Sequence, residues 1–463
     1  MKRLTSLCVP ALCAISTLLQ GASFPLSVRN LDLNEARSSP GGHGGFGQVT
    51  LVKPAHVNKT AKAVSARPLY CQLYQGNTAD GRAEPKGMAF MLDESRGTGT
   101  AYDRLIVDLN DNGDLSDDPV LSQASSSESH GDANFEQAAF GPIELPEARA
   151  TGPWRPRFFV EVYLYNKSLL KSAQPDTHMP LGQLRVYAAN FVETTVELNG
   201  ARERWGFIDG NCNFRLGDRA SSTSIYRGSA RGPSWYLVPG DYLLRDRDGS
   251  GRFERSLVVS DAEILSRVVY SGALPYLLDL DPALGSVRVE PYSDKVAELQ
   301  VVPELKQLVL GWQGPGGAWE ALTPAVASGK AVVPEGAFRL VSCIVGARNA
   351  NGQWLAAVSS EMPDREFRIE CGQSHKLKLG PPLALEITNE NPREANDWEL
   401  TPADRRRDPK PTLVDINVSI LGSGGERYAR FYNETKMESL PPPSFEIVGP
   451  ENQRLASGTF EFG

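Results

Sequence analysis

Apolar residues in this chain return at every second position in its clearest segments, and that period commits those segments to strands. In Arg157–Tyr165 the residues Phe158, Val160, Val162 and Leu164 share one face. Near the C-terminus Ile416, Val418 and Ile420 alternate with Asp415, Asn417 and Ser419. Successive side chains of a strand point to opposite faces, so each segment offers one face to a core and one to solvent. The 43 glycines and 33 prolines are enough to punctuate many short strands. Asp80-Gly81 and Asn351-Gly352 are dipeptides that accept the positive φ of tight hairpin turns. Helical signal is scarce: Ser260 and Glu263 have capping-box spacing and predict a short helix over Ser260–Val268. The expected class is mainly β.

Residues 1–23 begin with Lys2 and Arg3, run apolar from Cys8 to Leu19 and end at Gly21-Ala22-Ser23. That pattern predicts a secretory signal cleaved after Ala22 or Ser23, and a secreted or periplasmic product. No later segment reaches the ~18 uninterrupted apolar residues of a membrane span. Losing two basic residues with the signal would leave 46 basic against 56 acidic side chains. A chain so acidic disfavours nucleic acid as a partner. Cys71, Cys212, Cys343 and Cys371 would then remain. In an oxidising compartment Cys343–Cys371 is the favoured pair, because both lie on predicted strands of one hairpin set, with Cys71–Cys212 as its corollary. Four buried thiols are the alternative.

Residues 24–69, with Ser38-Ser39-Pro40-Gly41-Gly42, read as a flexible lead-in. Gly42-His43-Gly44-Gly45-Phe46-Gly47 has the letters of a dinucleotide-binding fingerprint but follows no predicted strand and opens no helix, so it is set aside. A β-rich domain is expected over 70–295. Val333–Leu340 then resembles the turn-plus-strand of transthyretin-like and carboxypeptidase-regulatory-like β-sandwiches. That resemblance implies a sandwich over 296–379. A second is expected over 380–463, starting after Gly380-Pro381-Pro382 and interrupted by the polar stretch 388–411 with Arg405-Arg406-Arg407.

Three loops carry the chemistry. In the first, Asp108, Asn110 and Asn112 occupy positions 1, 3 and 5, with Gly113 at 6, Asp114 at 7, and Asp117 and Asp118 at 10 and 11. Oxygens at alternate positions of a tight loop can converge on calcium, which takes six to eight of them. Five carboxylates with no basic residue between Asp108 and Asp118 repel one another unless a cation binds or water solvates them. The second loop offers Asp209, Asn211, Asn213 and Asp218, but Phe214 stands where the turn glycine belongs. A bulky residue is penalised at positive φ, which counts against an independent site. The third offers Asp246, Asp248, Ser250 and Glu254, with Gly251 at the turn position. Only Ser234–Leu244 separates the last two loops, so a shared ion is a further expectation. The alternative is a solvated turn held by Asx hydrogen bonds for the first loop and a Gly-rich hairpin turn for the third.

These loops resemble the EF-hand-like calcium loops of dockerins and thrombospondin type-three repeats over three short segments. They depart from the EF-hand at position 12, where Pro119, Ala220 and Leu257 replace a bidentate Glu, and flanking helices are not predicted. The resemblance therefore implies a structural calcium role, not a switch that opens on binding. Elsewhere the five histidines are scattered, with no HExxH and no GxSxG motif. Trp312, Trp319 and Trp354 border turns and fit either sugar stacking or core packing. Asn58, Asn166, Asn417 and Asn433 lie in glycosylation sequons. The reading is an exported, non-catalytic, calcium-stabilised surface or structural protein that binds a protein or glycan. The alternative is a secreted hydrolase, acting on glycan or peptide, whose acids are paired only in space.

Overall fold

The two alternating segments are strands, Arg157–Leu164 and Ile416–Leu421, in the computed structural model of the chain, and the protein is mainly β. The structure describes residues 21–40, 43–73, 87–99, 102–124, 136–147, 152–165, 170, 172–173, 179–226, 233–247, 249–253, 261–314, 316–348, 354–362, 365–389, 393–394, 412–413, 416–433 and 444–459. The predicted signal core, both hairpin dipeptides, most of 388–411, and His130 and His178 lie outside those residues. The chain forms two compact units. One comprises Met1–Arg255, Ser260–Asp294 and Gly316–Leu322; the other comprises Ser256–Val259, Lys295–Pro315 and Thr323–Gly463.

The first unit opens with β1 (Ala22–Pro25), β2 (Ser27–Asn30), helix α1 (Leu33–Ser38), β3 (His43–Thr50), β4 (Leu69–Leu73), β5 (Met88–Asp93), β6 (Arg104–Val107), β7 (Val120–Ser122), β8 (Glu136–Glu144), β9 (Arg157–Leu164) and β10 (Gly182–Ala188). It continues with β11 (Asn190–Leu198), β12 (Ala201–Ile208), β13 (Ser221–Tyr226), β14 (Pro233–Val238), β15 (Tyr242–Arg245), β16 (Ala262–Ile264), β17 (Val268–Ser271), β18 (Leu274–Asp281) and β19 (Ser286–Pro291). Eight strands make one sheet in the order β7-β6-β5-β4-β3-β10-β9-β8. Five make a second, β16-β15-β12-β11-β2, and four a third, β1-β19-β18-β17.

The period-two pattern explains the cores. One face of the eight-stranded sheet buries Val49, Cys71, Phe90, Phe158, Val160, Val162 and Leu184 in a single cluster. The second and third sheets close a β-sandwich-like core in which Val192, Trp205, Phe207 and Leu243 meet Val269, Leu278, Val287 and Val289. Each such side chain contributes roughly 1.5–3 kcal/mol on burial.

Residues 24–69 are not a flexible lead-in throughout. They supply half of β1, all of β2 and β3, and the six-residue helix α1. The true capping box is here: Glu35 N donates to Asp32 Oδ1 at 2.8 Å, and Asp32 N donates to Glu35 Oε2 at 3.0 Å. The expected helix over Ser260–Val268 does not form, because Ala262–Ile264 and Val268–Ser271 are strands. The edge of β15 offers Ile264 a partner in Tyr242, and so short a segment alone makes only a marginal helix. The Gly-rich stretch with the fingerprint letters belongs largely to β3. A side chain at Gly47 would overlap Cys71 Sγ, and one at Gly45 would meet Leu73, so these glycines permit close packing within the sheet.

In the second unit Lys330–Pro334, Val296–Gln300 and Ser374–Lys376 form a small sheet. A larger one runs through Leu305–Gln313, Gly336–Arg348, Trp354–Glu361, Arg427–Asn433, Ile416–Leu421 and Ala384–Asn389. Strands on both sides of Gly380-Pro381-Pro382 therefore share one sheet instead of dividing there into two sandwiches. Trp312 is core, with Nε1 donating to Glu335 O at 3.1 Å. Trp319 is half-buried, and the side chain of Trp354 lies outside the described part.

Neither expected disulfide forms, since all four cysteines are free. Cys343 points into the core, 3.6 Å from the Tyr428 hydroxyl, whereas Cys371 is exposed in a turn. Cys71 and Cys212 are both buried among apolar side chains, and burial pushes the Cys71 thiol up to about 12.

Candidate metal loops

Each loop begins on the residue after a strand: Asp108 after β6, Asp209 after β12 and Asp246 after β15. The strand end fixes the first carboxylate, and all three loops then share one backbone conformation at positions 4 and 6. Position 4 is left-handed in each, at Asp111 (φ 58°), Cys212 (φ 49°) and Gly249 (φ 69°). Position 6 is left-handed in each, at Gly113 (φ 76°), Phe214 (φ 64°) and Gly251 (φ 77°).

The hydrogen bonds repeat with it. Asp108 accepts from Asn112 N at 3.1 Å and Gly113 N at 2.9 Å; Asp209 accepts from Asn213 N at 3.2 Å and Phe214 N at 2.7 Å; Asp246 accepts from Gly251 N at 2.9 Å. At position 3, Asn110 and Asn211 accept from the amides of Asn112 and Asn213 at 3.1 and 3.0 Å. At position 5, Asn112, Asn213 and Ser250 accept from the amide two residues on. Asn112 Nδ2 donates to Asp117 Oδ2 at 2.9 Å, and Asn213 Nδ2 donates to Asp218 Oδ2. Asp248 and Glu254 lie outside the described residues.

Phe214 corrects the expectation drawn from the missing glycine. It takes the left-handed conformation regardless, because its ring enters the core of the eight-stranded sheet, 4.9 Å from the Phe158 ring. Burial of a phenyl ring outweighs a left-handed penalty of roughly 1–2 kcal/mol. The shared-ion expectation is overturned too. β12 and β15 are antiparallel, with Ile208 opposite Tyr242 and Trp205 opposite Arg245. The second loop leaves one end of that pair and the third leaves the other, beside Arg204, whose carbonyl accepts from Asp246 N at 3.1 Å.

The electrostatics differ from loop to loop. In the first, Lys59 Nζ lies 2.9 Å from Asp114 Oδ2; with the bonds from Ser116 ahead of it in weight, it holds Asp114 down to about 2. Asp118 goes the other way, up to about 6, through burial and then repulsion by Asp108, Asp117 and Asp114. In the second, sequence reasoning missed Asp241. This fully buried carboxylate accepts from Gly217 N at 2.6 Å, Asp218 N at 2.9 Å and Gly210 N at 3.3 Å. Burial and then Asp218 raise Asp209 to about 7, and burial, Asp209 and Asp218 raise Asp241 well above the usual range. The only signal for Asp241 in the sequence is an Asp after Pro239-Gly240, which is common in turns.

The loops' hydrogen bonds account for their shape without an ion. Among the described residues no three His, Cys, Asp or Glu side chains are grouped to hold a metal by themselves, so any cation ligands must include the Asn amides and backbone carbonyls. Two atoms fit a cation. Asp118 Oδ2 in the first loop and Asp246 Oδ1 in the third are buried carboxylate oxygens that accept no hydrogen bond. An orphaned buried acceptor costs about 1–3 kcal/mol, more when charged.

Asp209 and Asp241 are buried and bonded to backbone amides. A cavity of about 360 Å³ bordered by Leu26, Ser27, Thr194 and Arg204 holds one carboxylate, Glu193, already paired with Arg204. His375 stacks on Phe367 with centroids 4.7 Å apart. Comparison with protein-family models, with curated proteins and with solved structures found no match.

Proposed function

We propose that this is an exported, non-catalytic binding protein of the cell surface or extracytoplasmic space, with its first unit stabilised by calcium in the acidic loops. The observation that carries the reading is the pair of orphaned carboxylate oxygens, Asp118 Oδ2 and Asp246 Oδ1, in loops of one shared conformation. Asp108, Asn110, Asn112, Asp117 and Asp118 would hold the ion in the first loop, Asp209, Asn211, Asn213 and Asp218 in the second, and Asp246 and Ser250 would contribute in the third. Bound calcium supplies positive charge among mutually repelling carboxylates; the chain's own residues brace the loops. Leu115 and Phe214 anchor the first and second loops in apolar clusters, so tightening a loop stabilises packing. The apolar stretch at 8–19 supports export. The hydrolase alternative draws no support from a cavity with one paired acid.

The test is a thermal melt of the mature protein in EDTA and in millimolar calcium. Free ion at 100 times the dissociation constant adds about 2.7 kcal/mol, so the midpoint should rise by several degrees, and Asp108→Asn with Asp118→Asn should lose part of that rise. An unchanged midpoint for the wild type would leave the loops as solvated turns and end the calcium reading.

A further inference from the structure

Among the described residues, the outward face of the eight-stranded sheet is covered over only part of its width. At one side Val57, Ala61 and Leu115 pack on Tyr70, Met91 and Ile106; at the other Leu33 and Ala36 of α1 pack on Phe159 and Tyr187. Between these covers the strand registers line up a row of planar polar side chains. Gln48 stands opposite Gln183, Gln183 opposite Tyr163, and Tyr163 opposite Gln137. Two residues along, and so on the same face, Phe46 stands opposite Arg185. Phe46 is 57% exposed, Gln48 and Arg185 are exposed, and the other three are half-buried. Four strands give the row a length of roughly 14 Å.

Arg185 is the informative residue. Glu161 lies directly across from it, yet Glu161 is spent elsewhere: on Arg37 Nε at 2.9 Å, Gln137 Nε2 at 3.3 Å and the Tyr163 hydroxyl at 2.9 Å. Arg185 instead lies over the Tyr163 ring, 4.8 Å from its centroid, with Gln183 Oε1 at 3.5 Å. Among the described residues it has no carboxylate partner, in a chain of formal charge −8. A guanidinium pre-ordered on a ring and lacking a counter-ion suits a carboxylate from outside. Amides beside it offer donors and acceptors at fixed spacing, which hydroxyl groups match. Phe46 and Tyr163 present apolar ring surface.

From this charge complementarity we infer that the face binds an acidic oligosaccharide, with Arg185 pairing with a sugar carboxylate, the glutamines holding hydroxyls and the rings stacking on sugar C–H faces. A peptide is disfavoured because β3, β9 and β10 have both edges paired within the sheet, leaving no strand edge to extend. A phosphate ligand would meet, among the described residues of the row, the single cation Arg185.

The inference deepens the binding half of the function proposed above and is independent of its calcium half. Calorimetric titration of the mature protein with tetragalacturonic acid, and separately with neutral cellotetraose, tests it, in EDTA and in calcium. Saturable binding of the acidic tetramer is expected, weakened at least tenfold by Arg185→Gln and severalfold by Phe46→Ala, with little binding of the neutral one. No saturable heat from folded wild type, equal affinity for both tetramers, or an Arg185→Gln variant of unchanged affinity would each overturn it. Binding without calcium-dependent stabilisation would defeat only the calcium reading; stabilisation without binding would defeat only this one.

Discussion

The first and second acidic loops follow the same backbone course with the same side-chain bonds and both bury their first carboxylate, Asp108 and Asp209, yet they are set at different depths. In the first, Asn110, Asn112 and Asp117 are exposed and Lys59 pairs with Asp114. In the second, Asp209 and the added Asp241 are buried, Asp218 is half-exposed, and both buried acids are pushed upward. One loop conformation therefore keeps its position 3 and 5 side chains exposed in one place and partly buries them in the other. What differs is position 6. A Cβ at Gly113 would meet His56 O at 2.5 Å, so that loop has no room for a side chain, whereas Phe214 has a socket waiting in the sheet core.

The largest expected effect follows from that socket. Phe214→Ala should cost about 3–5 kcal/mol, the usual range for truncating a buried Phe, whereas Gly113→Ala should cost at least about 1 kcal/mol from its positive φ and crowding by His56. Urea unfolding of both variants measures this. A loss below about 1 kcal/mol for Phe214→Ala would mean that the second loop is not a core anchor and that the two loops are energetically alike.

A smaller effect separates the loops by pH. An unfolded Asp titrates near 3.9, but Asp209 does so at about 7 in the folded chain. Between those values the folded protein holds a proton that the unfolded chain has released, so the contribution of Asp209 to stability falls as pH rises from about 4 and is lost above about 7, and Asp241, also raised, adds in the same direction. Asp118, raised to about 6, adds in the same direction. The melting midpoint in EDTA should fall by several degrees across this window, Asp209→Asn should flatten the slope, and calcium should restore most stability at the upper end. A midpoint that climbs through the window would show that these carboxylates are stabilised as anions without any cation.

Spacing made the first three oxygens of the first and second loops legible, because positions 1, 3 and 5 are local and the strand end sets their direction. Asp241 was not legible, since it reaches the second loop only through the pairing of β12 with β15. Hydrophobic period identified β9 for the same local reason. It could not show that Ile264 would pair with Tyr242 instead of turning a helix, nor that Asp32 and Glu35 would cap one. The glycine rule at position 6 failed because it weighs backbone strain alone, while burying the Phe214 ring in the sheet core gains more than that strain costs.

Position 4 gives the finest comparison of the two loops. It is Asp111, exposed, in the first and Cys212, buried beneath the sheet, in the second. A thiol-selective reagent should therefore label Cys371 quickly and Cys71, Cys212 and Cys343 slowly, since the last three are buried. Cys212 can react only when the second loop leaves the core, so its rate reads the opening equilibrium of that loop. If a cation tightens the loop, EDTA should speed Cys212 severalfold and calcium should slow it, while an Asp111→Cys thiol in the first loop should react fast in both. Equal Cys212 rates with and without calcium would mean that Phe214 alone holds the second loop and that a metal there adds nothing to its closure.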